Sequence, residues 1–349
     1  MNAIKNLVRK NVLQLKPYSS ARDEYSKTEG IFLDANENPY GTLNRYPDPN
    51  QLEVRQELSK LKKVAVNNIF ISNGSDEIID LCFRVFCKPG VDKALSFSPS
   101  YGMYKVSAAV NDVELLEVPL DINFDIELET LTPLISDKHI KLIFICSPNN
   151  PTGNTFSKEK IEFILKKFNA IIILDEAYID FSETESLTSL ISSYKNLLVC
   201  QTFSKAWGLA AARVGIGYAD TYLISLLKKI KAPYNVSQLN QEAALFALKD
   251  LIHYKNTIER ILIAKEELKY ELLKLDSIRK VYPSQANFFL IESPDAIALY
   301  NALVQENIII RQRHKLVPNC LRITVGTPEE NKALINAIKN IDEKSFIYR

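Results

Sequence analysis

The sequence predicts an α/β protein: a large domain around a mostly parallel sheet, followed by a smaller α/β domain. Three observations carry this reading. From Ile69 onward, short apolar runs alternate with stretches of helical periodicity. Several of those runs are apolar without alternation, as strands covered on both faces are. At 349 residues the chain is also longer than a single core usually fills.

The elements follow in order. Met1 to Lys16 is basic, with Ile4, Leu7 and Val8 on one helical face, which reads as a docked amphipathic helix. Turn-forming Asn-Pro and Tyr-Gly steps then punctuate Leu33-Asp-Ala-Asn-Glu-Asn-Pro-Tyr-Gly41. Two prolines hold Leu43-Asn-Arg-Tyr-Pro-Asp-Pro49 extended, and a helix is expected from Gln51 to Leu61. Ile69 to Ile71, Ala94 to Phe97, Leu115 to Val118, Leu142 to Cys146, Ala170 to Leu174 and Leu197 to Cys200 read as strands. Ile78, Leu81, Cys82, Val85 and Phe86 repeat at helical spacing, and Lys158 to Phe168 forms another helix. Helices dominate from Tyr222 to Leu275. Strands are then expected at Asn287 to Ile291, Ile308 to Ile310 and Leu321 to Val325, with helices at Asp295 to Gln305 and Pro328 to Ile341. The organisation expected is an arm over 1–40 associated with the small domain, a large domain over 41–255, and a small domain over 256–349 entered through a linking helix at about 256–275.

Composition narrows the function. Lys+Arg is 43 against Asp+Glu 42, a net charge of +1. Nucleic acid and anionic membrane are poor partners for that balance. The five cysteines form no CxxC pair and most lie in apolar runs, which suits buried thiols in a reducing, cytoplasmic compartment. The three histidines are scattered, so no metal site is expected. Apolar runs have strand length, short of a membrane span.

Four segments could carry chemistry. Lys205 sits in Thr202-Phe-Ser-Lys-Ala-Trp-Gly208, among small and apolar residues. A desolvated lysine has a lowered pKa and forms Schiff bases. Ser204 and Arg213 beside it suit a phosphate. Asp175, in Asp175-Glu-Ala-Tyr178, closes an apolar strand where α/β sheets bind ligands. Ser147-Pro-Asn-Asn-Pro-Thr-Gly153 also follows a strand and offers an amide side chain. Asn73-Gly-Ser-Asp-Glu77 opens an amphipathic helix whose free amides form an anion site. Gly215-x-Gly217 lacks the third glycine of a dinucleotide fingerprint. Each segment alone also reads blandly, as a turn, a cap or a surface charge.

Together and in this order, the segments resemble the fold-type I pyridoxal-phosphate enzymes of the class I/II aminotransferase family, over nearly the whole chain. Asn44-Arg-Tyr-Pro-Asp48, Pro99-Ser-Tyr-Gly-Met-Tyr104, Cys320-Leu-Arg-Ile-Thr-Val-Gly326 and the Leu33 to Gly41 string narrow the likeness to a branch acting on histidinol phosphate. The resemblance implies pyridoxal 5'-phosphate as cofactor and an amino transfer between histidinol phosphate and the glutamate/2-oxoglutarate pair in histidine biosynthesis. It implies that Lys205 holds the cofactor covalently and then moves a proton. Asp175 would pair with the ring nitrogen, Asn150 and Tyr178 would bond the ring hydroxyl oxygen, and Tyr101 would stack on the ring. Gly74, Ser75, Asp76, Thr202, Ser204 and Arg213 would hold the phosphate. Tyr46 would reach that phosphate from the neighbouring subunit of a homodimer. Arg322 would clamp the carboxylate of glutamate, a bidentate task that lysine performs poorly. Tyr18 and Arg311 would take the substrate phosphate, with Arg313 as competitor and Asn36 as a further contact. Rivals on the same fold are an aromatic amino-acid aminotransferase and a decarboxylase of a phosphorylated amino acid. A ligand-sensing regulator would need a DNA-binding module ahead of the match, for which the first twenty residues leave no room.

Overall fold

The computed structural model describes residues 2–18 and 30–347. The chain opens with α1 (Asn2–Leu7) and α2 (Lys10–Gln14). Then come α3 (Leu52–Lys62), β1 (Ile69–Asn73), α4 (Ser75–Phe86), β2 (Lys93–Ser98), α5 (Met103–Val110) and β3 (Glu114–Pro119). The one-turn α6 (Leu128–Leu131) leads to β4 (Ile140–Cys146), α7 (Lys158–Lys167), β5 (Ile171–Asp175), β6 (Leu197–Thr202) and β7 (Val214–Ala219). Three helices follow, α8 (Thr221–Ile230), α9 (Gln238–Lys249) and α10 (Leu251–Leu272). The last part holds β8 (Lys280–Val281), β9 (Phe288–Glu292), α11 (Ala296–Gln305), β10 (Arg311–Gln312), β11 (Cys320–Thr324) and α12 (Pro328–Ile347).

Seven strands form the large sheet in the order β1-β7-β6-β5-β4-β2-β3. Only β7 runs against its neighbours; the pairs from β6 to β3 are parallel. Both faces are covered. In β5, Ile172 and Leu174 enter one apolar cluster while Ile171 and Ile173 enter the cluster on the opposite face. That is why the strand reads as an unbroken apolar run. The small domain carries the antiparallel sheet β10-β11-β9-β8. Phe289, Ile291, Leu321 and Ile323 turn toward its helices, and Phe288 packs toward Tyr178, Phe181 and Ala206 of the large domain.

Helix α10 joins the two parts. Its start carries Tyr254 and Ile258 against the junction cluster, and its end buries Ala264, Leu268 and Leu272 in the small-domain core. The junction is also stitched by backbone: Gln285 N–H donates to Gly153 O at 2.6 Å, and the Lys265 side chain of α10 fixes the adjoining Ser284 carbonyl at 2.5 Å.

Three sequence expectations need correction. The arm was expected on the small domain. Instead Ile4, Leu7, Val8 and Val12 are buried with residues of α4 and α8 on the large domain. Arg9 N–H donates to Val85 O, and Lys229 Nζ donates to Leu13 O. The apolar stripe of a short helix finds its partner in the stripe that α4 turns away from the sheet. Residues 19–29 of the arm lie outside the described residues. Strand β7 was not expected, because Gly215 and Gly217 dilute its apolar pattern. A Cβ on Gly215 would lie 2.5 Å from Gly74 C and Ser75 N, so this strand passes too close to the start of α4 for a side chain. The strand expected at Ile308 to Ile310 pairs three residues later, at Arg311–Gln312. Ile308 and Ile310 pack instead at the edge of the small-domain core.

Candidate active site

The parallel strands end along one edge of the sheet, and five of those ends deliver the side chains of a single cleft of about 130 Å³. β5 ends in Asp175, and β6 ends in Thr202, from which the chain turns through Ser204 to Lys205. β1 runs through Gly74 into α4. The loops after β2 and β4 carry Tyr101 and Asn150.

One end of the cleft is built for an anion. Gly74 takes φ +74°, a left-handed conformation that glycine adopts without strain, and so starts α4 facing the cleft. The first-turn N–H groups of a helix are unpaired within it and carry the positive end of its dipole. Arg213 NH1 donates to Ser204 Oγ at 3.3 Å, and the Thr202 and Ser204 hydroxyls lie 3.0 Å apart. Asp76 turns its carboxylate to Arg213 NH2 at 3.7 Å and accepts from the Tyr101 hydroxyl at 3.1 Å. It thereby aims both side chains.

The other end suits a ring with a basic nitrogen and a hydroxyl. Asp175 is buried and accepts from the Tyr104 hydroxyl at 2.7 Å and from Ala177 N–H at 3.1 Å. Burial pushes its pKa up to about 6, against the pull of those two donors. Asn150 Nδ2 donates to the Tyr178 hydroxyl at 3.2 Å, while Asn150 Oδ1 accepts from Arg322 NH1 at 2.6 Å. Lys205 lies between the two ends, its Nζ 5.6 Å from the Tyr178 ring centre. The residue is open to solvent through the cleft, yet the protein around its amine lowers its pKa. Arg322 and Arg213 push the same way, and Asp175 opposes them. A lysine so placed gives up its proton more readily than a surface lysine.

Ten of the residues singled out in the sequence line this one cleft: Ser75, Asp76, Tyr101, Asn150, Asp175, Tyr178, Thr202, Ser204, Lys205 and Arg213. Gly74 adjoins it through Arg213. Tyr46, Tyr18 and Asn36 are not among its lining residues. Tyr46 stacks on Tyr234 at 4.3 Å beside Asn36, and Tyr18 is exposed. On the small domain Arg311 stands directly across from Arg322 in the ladder, and Arg313 continues it. Residues two apart share a face, so the three arginines lie on one side of the sheet. Nε of Arg313 and of Arg322 is buried with no partner among the described residues. Burial, with Arg322 and Arg311 beside it, brings Arg313 down to about 10. The sequence reading assigned no site role to Tyr104, which donates to Asp175, or to Cys146, which stands across from Asp175 in the ladder.

The arrangement fits a phosphorylated pyridine aldehyde. An anion cradle, a carboxylate for a ring nitrogen, two donors for a ring oxygen and an amine stand in one cleft. The chain belongs to the aminotransferases of class I and II, whose family model matches residues 24–338. A relative from Cytophaga hutchinsonii named histidinol-phosphate aminotransferase is 48% identical over 344 residues, 97% of this chain and 99% of that protein. The fold is similar to the crystal structure of the histidinol-phosphate aminotransferase from Clostridium acetobutylicum, with a TM-score of 0.78, 26% identity, and coverage of 86% of this chain and 92% of the other. It is also similar to that of the histidinol-phosphate aminotransferase from Sinorhizobium meliloti in complex with pyridoxal-5'-phosphate, with a TM-score of 0.79, 21% identity, and coverage of 96% and 98%. Among the described residues no cluster of His, Cys, Asp and Glu is placed to hold a metal ion, and no helix is long and apolar enough to cross a membrane.

Proposed function

We propose that this chain transfers the amino group of L-histidinol phosphate to 2-oxoglutarate, giving imidazole acetol phosphate and L-glutamate, in the biosynthesis of L-histidine. The observation that carries the reading is the coupling of an arginine face to the cofactor cleft. Arg322 donates to Asn150, Arg311 stands across from it and Arg313 beside it, and the buried Nε atoms of Arg313 and Arg322 have no partner among the described residues. A transaminase for ordinary amino acids needs one carboxylate clamp. A donor carrying a phosphate dianion calls for more cationic donors in the same place. Near-full-length relatives of that name support the substrate choice.

Pyridoxal phosphate, when bound, supplies the carbonyl that takes up the amino group and the ring into which electrons are drawn. The residues of the chain do the rest. Arg213, Ser204, Thr202 and the start of α4 hold the phosphate group. Asp175 keeps a proton on the ring nitrogen, and Asn150 and Tyr178 fix the ring oxygen. Tyr101, which lines the cleft, would cover one face of the ring. The lowered pKa of Lys205 leaves more of its amine free to take a proton from the amine-bearing carbon of the substrate.

The active form is a homodimer in the cytoplasm. Leu43 and Leu239 are 60% and 57% exposed and line one surface groove together with Tyr46. Apolar side chains gathered in an exposed groove suit a contact with a second copy of the chain. Tyr46 belongs to this side of the chain, outside its own cleft, which suits a contact to the phosphate bound by the partner subunit. All five cysteines are unpaired and buried.

Steady-state kinetics on two arginine variants test the substrate assignment. Hydrogen bonds to charged groups contribute roughly 1.5–3 kcal/mol. Arg311→Ala or Arg313→Ala should therefore lower kcat/KM for histidinol phosphate about 10- to 150-fold. Activity with unphosphorylated histidinol should be low and nearly unchanged. If neither variant loses its preference for the phosphorylated donor, these arginines do not hold the phosphate.

A further inference from the structure

Tyr104 is a buried polar residue that the mechanism above leaves without a task. In sequence it only closes the string Pro99-Ser-Tyr-Gly-Met-Tyr104, with no role of its own. The structure buries it to 1% exposure, and its hydroxyl donates to Asp175 Oδ2 at 2.7 Å. The ring is locked from two sides: it stacks on Phe144 at 4.7 Å with planes 16° apart, and it meets the edge of Tyr101 at 5.5 Å. A side chain fixed in this way brings its hydroxyl to the carboxylate with little further loss of rotamer freedom.

Asp175 needs such a donor. A carboxylate removed from water is stabilised by the hydrogen bonds it accepts. Here those come from Tyr104 and from the Ala177 N–H. The remaining charged and titratable groups around it give mixed support. Asp76 opposes its ionisation, Lys205 favours it, and the thiols of Cys146 and Cys200 are buried beside it. Tyr104 offers the strongest opposition to the cost of burial.

We infer that Tyr104 is a positioning residue for the amino transfer: its hydroxyl keeps Asp175 ionised and aimed, so that the proton shared with the cofactor's ring nitrogen stays on the nitrogen. The inference rests on the reading of Asp175 as the ring-nitrogen partner. Removing the donor makes Asp175 the better base of the pair. The proton then moves from the ring nitrogen to the carboxylate, which leaves both groups neutral. At the strength of a hydrogen bond to a charged group, that partition shifts about 10- to 150-fold toward Asp175.

The test loads the full chain with pyridoxal phosphate labelled at the ring nitrogen and reads that nitrogen by NMR at neutral pH, with thermal melting as the check on folding. Wild type should show a protonated nitrogen, and Asp175→Asn an unprotonated one. Tyr104→Phe should move the signal toward the Asp175→Asn position. Para-fluorophenylalanine at position 104, which fills the hydroxyl's space but cannot donate, should move it the same way. If Asp175→Asn moves the signal but both Tyr104 variants match wild type, the role of Tyr104 is wrong and that of Asp175 stands. If Asp175→Asn leaves the signal where wild type has it, the reading of Asp175 falls and this inference falls with it. If neither Tyr104 variant folds with cofactor bound, Tyr104 is a structural residue and the inference is overturned.

Discussion

At the residue scale, Asp175 weakens the cofactor-free protein. Its pKa in the folded chain is about 6, above the ordinary 3.8, so the native state binds the proton more tightly than the unfolded chain does. Stability therefore falls as pH rises from about 4 through about 6, and stays low above that. Two pH units correspond to ~3 kcal/mol. Asp175→Asn removes this titration. The cofactor-free variant should melt like wild type near pH 4 and at a higher temperature from pH 7 upward. An equal offset at both pH values would show that Asp175 does not titrate in this window. The polar residues readable from sequence share one trait: Asp175, Asn150 and Lys205 each follow an apolar strand within a short polar string, so location and chemistry appear together. Tyr104 had no such signal. Its acceptor lies 71 positions away, and the string that holds it carries no charged or catalytic pattern of its own. Tyr46, Tyr18 and Asn36 came only from family likeness, and a single chain does not bring them to the cleft.

At the element scale, the site depends on how closely β7 approaches the start of α4. Gly215→Ala would place a methyl group 2.5 Å from Gly74 C and Ser75 N. Overpacking of this kind costs typically 1–3 kcal/mol. Here relief would come from shifting the helix start that we propose as the phosphate cradle. Titration of the variant with pyridoxal phosphate should show affinity reduced about tenfold or more, with the same cost visible in denaturant melts. Unchanged affinity alongside reduced stability would separate the cradle from this contact. The parallel strands were legible because their residues are apolar on both faces. β7 was not, since the same close approach that requires Gly215 also removes the side chains a strand is recognised by. The position of β10 was misjudged because Ile308 and Ile310 give the apolar signal, whereas the pairing falls on the polar residues that follow. The arm helices were recognisable as amphipathic, but an apolar stripe alone does not say which domain will cover it.

At the scale of the whole molecule, two cofactor sites are expected to be shared across a homodimer. Lys205→Ala removes the covalent anchor of its own site, and Tyr46→Ala weakens the partner's site. Each homodimer should then be strongly impaired. Each mixed dimer should contain one site with both native residues and recover up to about half the activity of a wild-type dimer, so an equimolar mixture pairing at random recovers about a quarter. Mixed dimers isolated by two affinity tags and lacking recovered activity would remove Tyr46 from the shared site. The central claim joins Lys205, the cofactor and a phosphorylated donor, and a single half-reaction addresses all three. The purified protein, loaded with pyridoxal phosphate, is mixed with histidinol phosphate alone, and its visible absorbance is followed in a stopped-flow instrument. The account predicts that the absorbance of the lysine-bound cofactor converts to that of pyridoxamine phosphate, with one equivalent of imidazole acetol phosphate formed. It also predicts that 2-oxoglutarate restores the starting spectrum. No conversion with histidinol phosphate, while phenylalanine converts the cofactor fully, would contradict it; so would release of carbon dioxide from a phosphorylated amino acid without formation of a keto product.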